Sequence, residues 1–306
     1  FFFQAEDGIR DDLVTGVQTC ALPIFSAPLR QIAANAGKDG DVVVERVLRD
    51  GLGYNALTQR LLDELAARNI PLIEDCCESY GATFAGRKLG TFGWVANFSF
   101  YYAHHLSTIE GGMVSTDDAE LHEVVRMLRS HGLVREASAE PVRRRWTEKH
   151  PDLNPDFIFA YPGYNMRPTE INGLIGRSQL RCLDANNARR TQNLKLFLAG
   201  LDSTKYRTDF MVEGSCNYAF TLVLRRPDAA LWTKVEHTLR THGVEFRRGT
   251  AGGGNQLRQP YLRRILPDEN YAQYPQVEHV HRFGCYIGNY PTLHQEKIGR
   301  LCGLLN

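Results

Sequence analysis

The chain has 306 residues, of which 43% are apolar and 23% charged, a composition typical of soluble globular domains and not of disordered, collagen-like or coiled-coil proteins. Its 36 basic and 35 acidic side chains give a formal net charge of +1, which argues against nucleic acid or an anionic membrane as the main partner. No uninterrupted apolar stretch approaches the ~20 residues that a bilayer span needs.

The cysteines are spread thinly along the chain and form no CxxC pair. Their odd number leaves one thiol over in any disulfide scheme, so we expect a reducing, cytoplasmic compartment. The seven residues are Cys20, Cys76, Cys77, Cys182, Cys216, Cys285 and Cys302.

The segment from Phe1 to Ile24 shows neither helical nor strand periodicity, and it lacks the long apolar run of a signal peptide. Its letters resemble translated sequencing-adapter sequence. We therefore expect the natural chain to begin near Phe25 and to be truncated at its own N-terminus, with a disordered leader as the alternative. Both interpretations predict a segment that packs poorly on the rest.

Helical and strand patterns alternate from residue 56, which favours an α/β layer. In chain order the pattern predicts a helix at 56–69, strands at 70–73, 94–100 and 112–116, and a helix at 117–130. We expect the segment 70–73 to be a buried parallel strand whose end, at Glu74 and Asp75, opens on a ligand crevice. The first helix would carry Leu57, Leu61, Leu62 and Leu65 on one face. The predicted helix at 117–130 would be capped by Asp117 and would direct Leu121, Val124, Val125 and Leu128 toward the core.

The stretch 136–156 is charged and poor in apolar residues, which is typical of a loop or domain connection. We expect its run Arg143–Arg145 to be a solvated face, with contact to a substrate diphosphate as the alternative. Further on, the pattern predicts a helix from Thr169 toward Leu201, a strand at 217–225, a helix at 228–242 and a strand at 244–247. The expected division is a partial large domain at 25–135, a connection at 136–160 and a smaller α+β domain at 161–306.

Several segments carry a more specific signal. They are EDCCESYGA from Glu74, GTFG from Gly90, FSFYYAHHLSTIEGGMVSTDD from Phe98, RSHG at 129–132, PGYNMRPTEINGLIG at 162–176 and GVEFRR at 243–248. Together they resemble the DegT-type sugar aminotransferases, pyridoxal-phosphate enzymes of fold-type I. The likeness covers nearly everything after about Leu57. It implies an aspartate-aminotransferase-like α/β large domain, a smaller α+β C-terminal domain and a homodimer.

The resemblance implies roles for three residues near the predicted crevice. Asp75 matches the acidic residue that pairs with the cofactor's pyridine nitrogen, where a carboxylate keeps the ring protonated and lets it act as an electron sink. Ser99 matches the family's phosphate-contacting serine, and Glu78 matches a position used against the cofactor ring. The alternatives are a helix cap for Asp75 and a strand serine bonded to backbone for Ser99.

The family's cofactor lysine lies five residues after that serine, and here this position is His104. No lysine lies in the segment, so no residue there can form the internal Schiff base. This departure resembles the branch of nucleotide-sugar 3-dehydratases of the GDP-4-keto-6-deoxymannose type, in which histidine replaces the lysine. The lysines of the chain are Lys38, Lys88, Lys149, Lys195, Lys205, Lys234 and Lys297.

In the chemistry that this branch implies, L-glutamate supplies an amino group that converts pyridoxal phosphate to pyridoxamine phosphate. The amine condenses with the C4 ketone of a nucleotide-linked 4-keto-6-deoxyhexose, and His104 removes a proton so that the C3 hydroxyl is expelled. An imidazole forms no stable imine but exchanges protons near neutral pH, which favours loss of water over transfer of the amine. The product would feed lipopolysaccharide or another surface polysaccharide.

Three further residues complete the predicted site. Asn165 and Arg167 match positions at which the family brings a neighbouring subunit's residues to the cofactor phosphate and the substrate. His105 is a second candidate for substrate contact, with a satisfied structural histidine as the alternative. Because His104 and His105 lack an acidic or cysteine partner at i+3 or i+4, we expect no metal site.

Three alternatives to a dehydratase stay open. An ordinary DegT-type aminotransferase would borrow a lysine from elsewhere in the fold. A 3-dehydrase with an iron–sulfur cluster and a reductase partner would need four clustered thiolates, which the separated cysteines do not indicate. The polypeptide would be an inactive fragment if truncation removed the phosphate-binding loop and part of the dimer surface.

Overall fold

A computed structural model describes Leu62 and residues 65–249, 253–266 and 270–306. The predictions for 1–24 and for a start near Phe25, and those for Leu57 and Leu61 of the first helix, lie outside these residues. The described part of that helix is Leu62 with residues 65–67, and Leu65 is buried as predicted.

Within the described residues up to 116, the strands are β1 at Ile73–Asp75, β2 at Thr83–Phe84, β3 at Arg87–Lys88, β4 at Val95–Ser99 and β5 at Gly112–Ser115. β1 pairs in parallel with β4, and β4 pairs antiparallel with β5. β2 and β3 form a separate hairpin. The parallel pair brings the carboxyl ends of β1 and β4 to one edge of the sheet, which is where α/β sheets bind ligands.

The described helices after β5 are α1 at Ala119–Leu128, α2 at Glu140–Lys149, α3 at Glu170–Gly200, α4 at Ala229–Thr241, α5 at Pro260–Ile265, α6 at Pro275–Phe283 and α7 at Gln295–Leu305. Between them lie β6 at Ala219–Val223, β7 at Arg247–Arg248 and β8 at Gly284–Gly288, which pair antiparallel in the order β6-β8-β7. Antiparallel strands flanked by helices give this second part the expected α+β character. Over the described ranges, no helix has both the length and the apolar character that a membrane crossing requires.

The core of the second part lies between β6 and the helices α3, α4 and α7. Phe197 of α3 and Phe220 of β6 are fully buried, and their rings stack with centroids 4.5 Å apart. Both long helices begin where the sequence predicts. Thr169 and Asn172 form a capping box at the start of α3, and Asp228 caps α4 by accepting a backbone N–H at 2.9 Å.

The prediction of a loop at 136–156 is wrong, because the helix α2 lies within it. Its charges stabilise the helix: Arg144 lies 3.7 Å from Glu140 and 3.9 Å from Glu148, each one turn away. On the apolar face, Trp146 packs against the cluster that surrounds the end of α1. Of the arginine run, Arg144 and Arg145 lie on an exposed helix face as expected, whereas Arg143 is half-buried and donates to the Ala137 and Ser138 carbonyls.

The helix α1 also differs from its prediction in two details. Asp118, not Asp117, caps it and accepts two backbone N–H groups of the first turn at 2.9 and 3.0 Å. Its most buried residues are Glu123 and Met127, and the four aliphatic residues expected to face inward are only partly buried. The buried Glu123 carboxylate accepts the Ser138 N–H at 2.6 Å, which compensates for its loss of water. The same bond fixes the start of α2.

The strand predicted at 70–73 lies two to three residues later, in β1. Pro71 has no N–H and cannot extend the ladder of hydrogen bonds, although the Leu72 carbonyl accepts the Trp94 N–H at 2.9 Å. The strand therefore begins after Pro71, at Ile73, and Asp75 is its last residue. The strands predicted at 94–100, 112–116 and 217–225 are confirmed in shortened form.

We expect Phe197→Ala to lower the free energy of unfolding by about 3–5 kcal/mol, because it leaves a cavity where a fully buried ring was. The matched variant Leu196→Ala, at the next position of α3, where the side chain is 41% exposed, should lower it by less than about 1 kcal/mol. Urea denaturation followed by circular dichroism measures both values. Equal losses would contradict this placement of the core.

Candidate functional site

Asp75 lies at the carboxyl end of β1, directly beside Asn97 of β4. Its Oδ1 accepts the side-chain amide of Asn97 and the backbone N–H of Cys77, both at 3.0 Å. Both bonds end on one carboxylate oxygen, so the side chain is fixed while Oδ2 takes part in neither of them. A carboxylate held in this way at a sheet edge can accept a hydrogen bond from a protonated nitrogen of a ligand.

Ser99 is the last residue of β4, and it shares a face of the strand with Asn97, two positions earlier. Its hydroxyl oxygen accepts the Tyr101 backbone N–H at 3.2 Å, which ties it to the turn that carries His104. Asp75 and Ser99 therefore lie at the carboxyl ends of neighbouring parallel strands, the arrangement expected from the sequence.

Glu74 does not share the edge at which Asp75 lies, although the two residues are adjacent. It is 2% exposed, and its carboxylate accepts the backbone N–H groups of Gly90, Phe92 and Gly93 at 2.6, 2.7 and 2.6 Å. These bonds fix the GTFG loop against β1. The expectation that both carboxylates face a ligand is therefore wrong for Glu74.

Glu78 lies beside His104, at a distance of 3.8 Å between its Oε1 and the imidazole Nε2. The same Oε1 accepts a hydrogen bond from the Tyr218 hydroxyl at 3.0 Å. The structure thus brings two of the predicted residues together, with a tyrosine from the second part of the chain.

The His104 ring is enclosed, with a side chain only 12% exposed. Tyr101 and Tyr218 contact it edge to face, with ring centroids 5.4 and 5.8 Å away. Within the part of the chain that the structure describes, its buried Nδ1 has no hydrogen-bond partner. A ring nitrogen without a partner can accept a hydrogen bond from a ligand atom or donate one to it.

His105 has a different environment. It is 3% exposed, and its Nε2 donates to the carbonyl oxygen of Cys216. Burial, together with the positive charge of Arg190, lowers the pKa of His105 to about 3, so the ring is neutral at physiological pH. This environment favours the structural alternative over contact with a substrate.

Asn165 and Arg167 lie in an exposed segment that runs past the end of α1. The segment is held through its backbone, where the Met166 N–H donates to the Arg129 carbonyl at 2.8 Å. In the described ranges, no hydrogen bond or ion pair connects either side chain to the group around His104. A single chain therefore leaves these two residues apart from the other predicted site residues.

Two residues that hold this group together are not among those predicted from the sequence. Asn97 has a sequence signal, because it is a polar residue two positions before Ser99 in the same strand and so shares its face. Tyr218 has none, since 140 residues separate it from Glu78. Only the fold brings that pair together.

The adjacent cysteines are packing residues rather than reactive ones. Burial and a hydrogen bond to Asp75 raise the pKa of the Cys77 thiol, so it stays protonated. Among the described residues, no group of three or more His, Cys, Asp or Glu side chains is placed to hold a metal ion. Cys76 is fully buried in a cluster with Ala82, Leu89, Ala96 and Cys216.

Comparison with known proteins gives both a family and individual relatives. A sequence model of the DegT/DnrJ/EryC1/StrS aminotransferase family matches residues 53–306. The chain is similar to the GDP-4-keto-6-deoxy-D-mannose 3-dehydratase of Escherichia coli O55:H7, with 30% identity over 229 residues. That alignment covers 74% of this chain and 58% of the relative, so the chain spans little more than half of the relative's length.

Solved structures are similar in fold. The E. coli GDP-4-keto-6-deoxy-D-mannose-3-dehydratase with bound hydrated PLP matches with a TM-score of 0.68 and 28% identity, over 81% of this chain and 63% of that one. A GDP-4-keto-6-deoxymannose-3-dehydratase with a trapped PLP–glutamate geminal diamine matches with a TM-score of 0.64 and 27% identity, over 81% and 64%. The expected α/β fold of the fold-type I class is thereby confirmed.

We expect the neutral, buried His105 to make the free energy of unfolding fall as the pH is lowered from about 6.5 to about 3. The unfolded chain binds a proton on this imidazole below about pH 6.5, whereas the folded chain does so only near the lowered pKa. His105→Gln should remove this part of the pH dependence, and His237→Gln, at an exposed position of α4, should keep it. Urea denaturation across this pH range measures the slopes, and equal slopes in the wild type and His105→Gln would contradict the assignment.

Proposed function

Since the chain belongs to the DegT/DnrJ/EryC1/StrS aminotransferase family, we propose that it works with pyridoxal 5'-phosphate and pyridoxamine 5'-phosphate as a nucleotide-sugar 3-dehydratase. The substrate we propose is of the GDP-4-keto-6-deoxymannose type, because relatives of that name are similar in sequence and in fold. The observation that carries the proposal is His104, an imidazole at the position that matches the lysine of the family's aminotransferases.

The contacts of the described lysines support this proposal, because none of their hydrogen bonds or ion pairs involves His104. Lys88 forms an ion pair with Asp184 at 3.9 Å, and Lys205 donates to the carbonyl oxygen of Asn306. A lysine that forms an imine with the cofactor must reach it covalently, and no contact in the described ranges joins a lysine to the group around His104. The remaining described lysines are exposed on helices: Lys149, Lys195, Lys234 and Lys297.

The residues around His104 fit a phosphorylated pyridine ring. Asp75 would bind the ring nitrogen, since a fixed carboxylate stabilises its protonated form. The Ser99 hydroxyl would bind the phosphate, and Glu78 would orient the ring. When bound in its pyridoxamine form, the cofactor withdraws electrons from the methylene carbon that carries its amino group. The proton on that carbon thereby becomes removable. The unpartnered Nδ1 of His104 is the atom in this chain that can take such a proton.

His104 would move that proton and deliver it to the departing C3 hydroxyl, which leaves as water. Imidazole suits both steps because it accepts and releases protons near neutral pH. Imidazole carries no primary amine. It therefore cannot form an imine with the cofactor in place of the sugar's amine, which is the step by which a lysine releases an aminosugar. These properties favour a 3-deoxy ketosugar over an aminosugar.

We further propose L-glutamate as the amino donor, because one similar structure holds a PLP–glutamate adduct. The substrate would be a nucleotide-linked 4-keto-6-deoxyhexose in the cytoplasm. Its 3-deoxy product would be a precursor of lipopolysaccharide or another surface polysaccharide.

A homodimer would complete the site, with Asn165 and Arg167 of the partner subunit at the cofactor phosphate and the substrate. Both positions are exposed in the single chain. Large apolar side chains accompany them and are also exposed, among them Tyr164, Met166 and Ile171. Several large apolar side chains exposed within one short stretch of sequence support a subunit interface there.

The function is tested by incubating the chain with pyridoxal phosphate, L-glutamate and GDP-4-keto-6-deoxymannose, and by identifying the products by NMR and mass spectrometry. We expect a GDP-linked 3-deoxy ketosugar and 2-oxoglutarate. A GDP-linked 4-aminosugar would identify an aminotransferase and contradict the proposal. Bound cofactor without any conversion of the sugar would contradict it as well.

The matched variants are His104→Asn and His237→Asn. Because an amide cannot accept a proton, we expect His104→Asn to lower kcat for dehydration by at least about 100-fold. His237 is exposed on α4, and His237→Asn should stay within about two-fold of the wild type. Cofactor absorbance in both variants controls for binding, and a wild-type rate in His104→Asn would contradict the role of the imidazole.

A further inference from the structure

The residues Gly214–Tyr218, which we name the strap, lead into β6, and each of them bonds to a different residue outside the strap. The Gly214 carbonyl accepts the Thr83 N–H at 2.8 Å, and the Ser215 carbonyl accepts the Thr191 hydroxyl at 2.9 Å. The Cys216 carbonyl accepts the hydrogen of His105 Nε2, and the Asn217 carbonyl accepts the Asn289 side-chain amide at 2.8 Å. The Tyr218 hydroxyl donates to Glu78. The strap therefore ties the second part of the chain to the turn that holds the two histidines.

The backbone of the strap is fixed at its first residue. Gly214 has a φ of +75°, a conformation that side chains disfavour. A Cβ atom there would lie 2.0 Å from the Thr83 carbonyl oxygen, which is far inside van der Waals contact. Only glycine fits this approach, so the strap has a defined position relative to the β2–β3 hairpin.

Tyr218, the last residue of the strap, contacts both Glu78 and His104. Its hydroxyl lies 3.0 Å from Glu78 Oε1, and its ring meets the His104 ring at 78°, with centroids 5.8 Å apart. The same Oε1 is 3.8 Å from His104 Nε2. One carboxylate oxygen thus lies within reach of both the tyrosine hydroxyl and the imidazole.

This arrangement has a consequence for the ring hydrogen of His104. The 3.8 Å between Oε1 and Nε2 is longer than a hydrogen bond, and the negative charge of a carboxylate favours the tautomer in which the facing nitrogen carries the hydrogen. In a neutral histidine the other nitrogen then holds a lone pair. Here that nitrogen is Nδ1, which is buried and has no partner in the described part of the chain.

We propose that Tyr218 is a positioning residue for His104. By holding the Glu78 carboxylate against Nε2, the tyrosine hydroxyl selects the tautomer in which Nδ1 is the base. Without the hydroxyl the carboxylate loses one of the contacts that orient it toward Nε2, and the ring hydrogen is distributed over both nitrogens. The catalytic consequence rests on the proposed function, whereas the tautomer is a property of the chain itself.

The test is Tyr218→Phe, which removes the hydroxyl and keeps the ring. Long-range 1H–15N spectra of the chain with 15N-labelled histidine show which nitrogen of each ring carries a hydrogen, and the His104 signals are those lost in His104→Asn. We expect the wild type to carry the hydrogen on Nε2 and Tyr218→Phe to populate both tautomers. With the sugar substrate, kcat should fall about ten-fold while KM stays within about two-fold.

Tyr206→Phe is the matched control, because it removes a buried tyrosine hydroxyl that donates to the Leu305 carbonyl at 2.8 Å, outside the site. It should leave the His104 signals unchanged. Glu78→Gln should alter those signals as Tyr218→Phe does, and the double variant should add nothing, since both changes act through one contact. Unchanged His104 signals in Tyr218→Phe, or additive effects in the double variant, would overturn the proposal.

The spectra separate this proposal from the proposed function. If Tyr218→Phe redistributes the ring hydrogen while the chain makes an aminosugar, the positioning role stands and the dehydratase function fails. If a 3-deoxy ketosugar forms at the wild-type rate and the His104 signals do not change, the function stands and the positioning role fails.

Discussion

The parallel pairing of β1 with β4 is the constraint on which the site depends. Its register sets Asp75 beside Asn97 and places Ser99 at the same edge of the sheet. Five residues beyond Ser99 lies His104, in a loop at 100–111 that backbone hydrogen bonds close at its base. The hydrogen bonds of the sheet and the contacts around the His104 ring thus position the imidazole relative to the Asp75 carboxylate.

In two pairs of adjacent residues, one residue stabilises the fold and the other is the one to which we assign a role with the cofactor. Glu74 uses its carboxylate on backbone N–H groups of the GTFG loop, while the Asp75 carboxylate accepts the Asn97 side chain at the sheet edge. His105 is buried, neutral and bonded to the strap, while His104 keeps a buried nitrogen without a partner among the described residues. In both pairs the bonds of the stabilising residue fix the backbone beside the residue to which we assign a role with the cofactor.

Local signals predicted much of the fold, and contacts between distant segments produced the rest. The starts of α3 and α4 follow from Thr169 and Asp228, whose side chains bond within their own first turns. The helix α2 was missed because its charged face resembles a loop, although its i,i+4 ion pairs favour a helix. Asp75, Ser99 and His104 were predicted as site residues through a motif. Tyr218 was not, because a contact across 140 residues leaves no periodicity to detect.

The central claim is that this chain binds its cofactor without a covalent bond to lysine. The most direct test is to load the chain with pyridoxal phosphate, treat it with sodium borohydride, denature it and map its peptides by mass spectrometry. We expect the bound cofactor to be released on denaturation and every lysine-containing peptide to keep its unmodified mass. A phosphopyridoxyl group on any lysine would contradict it.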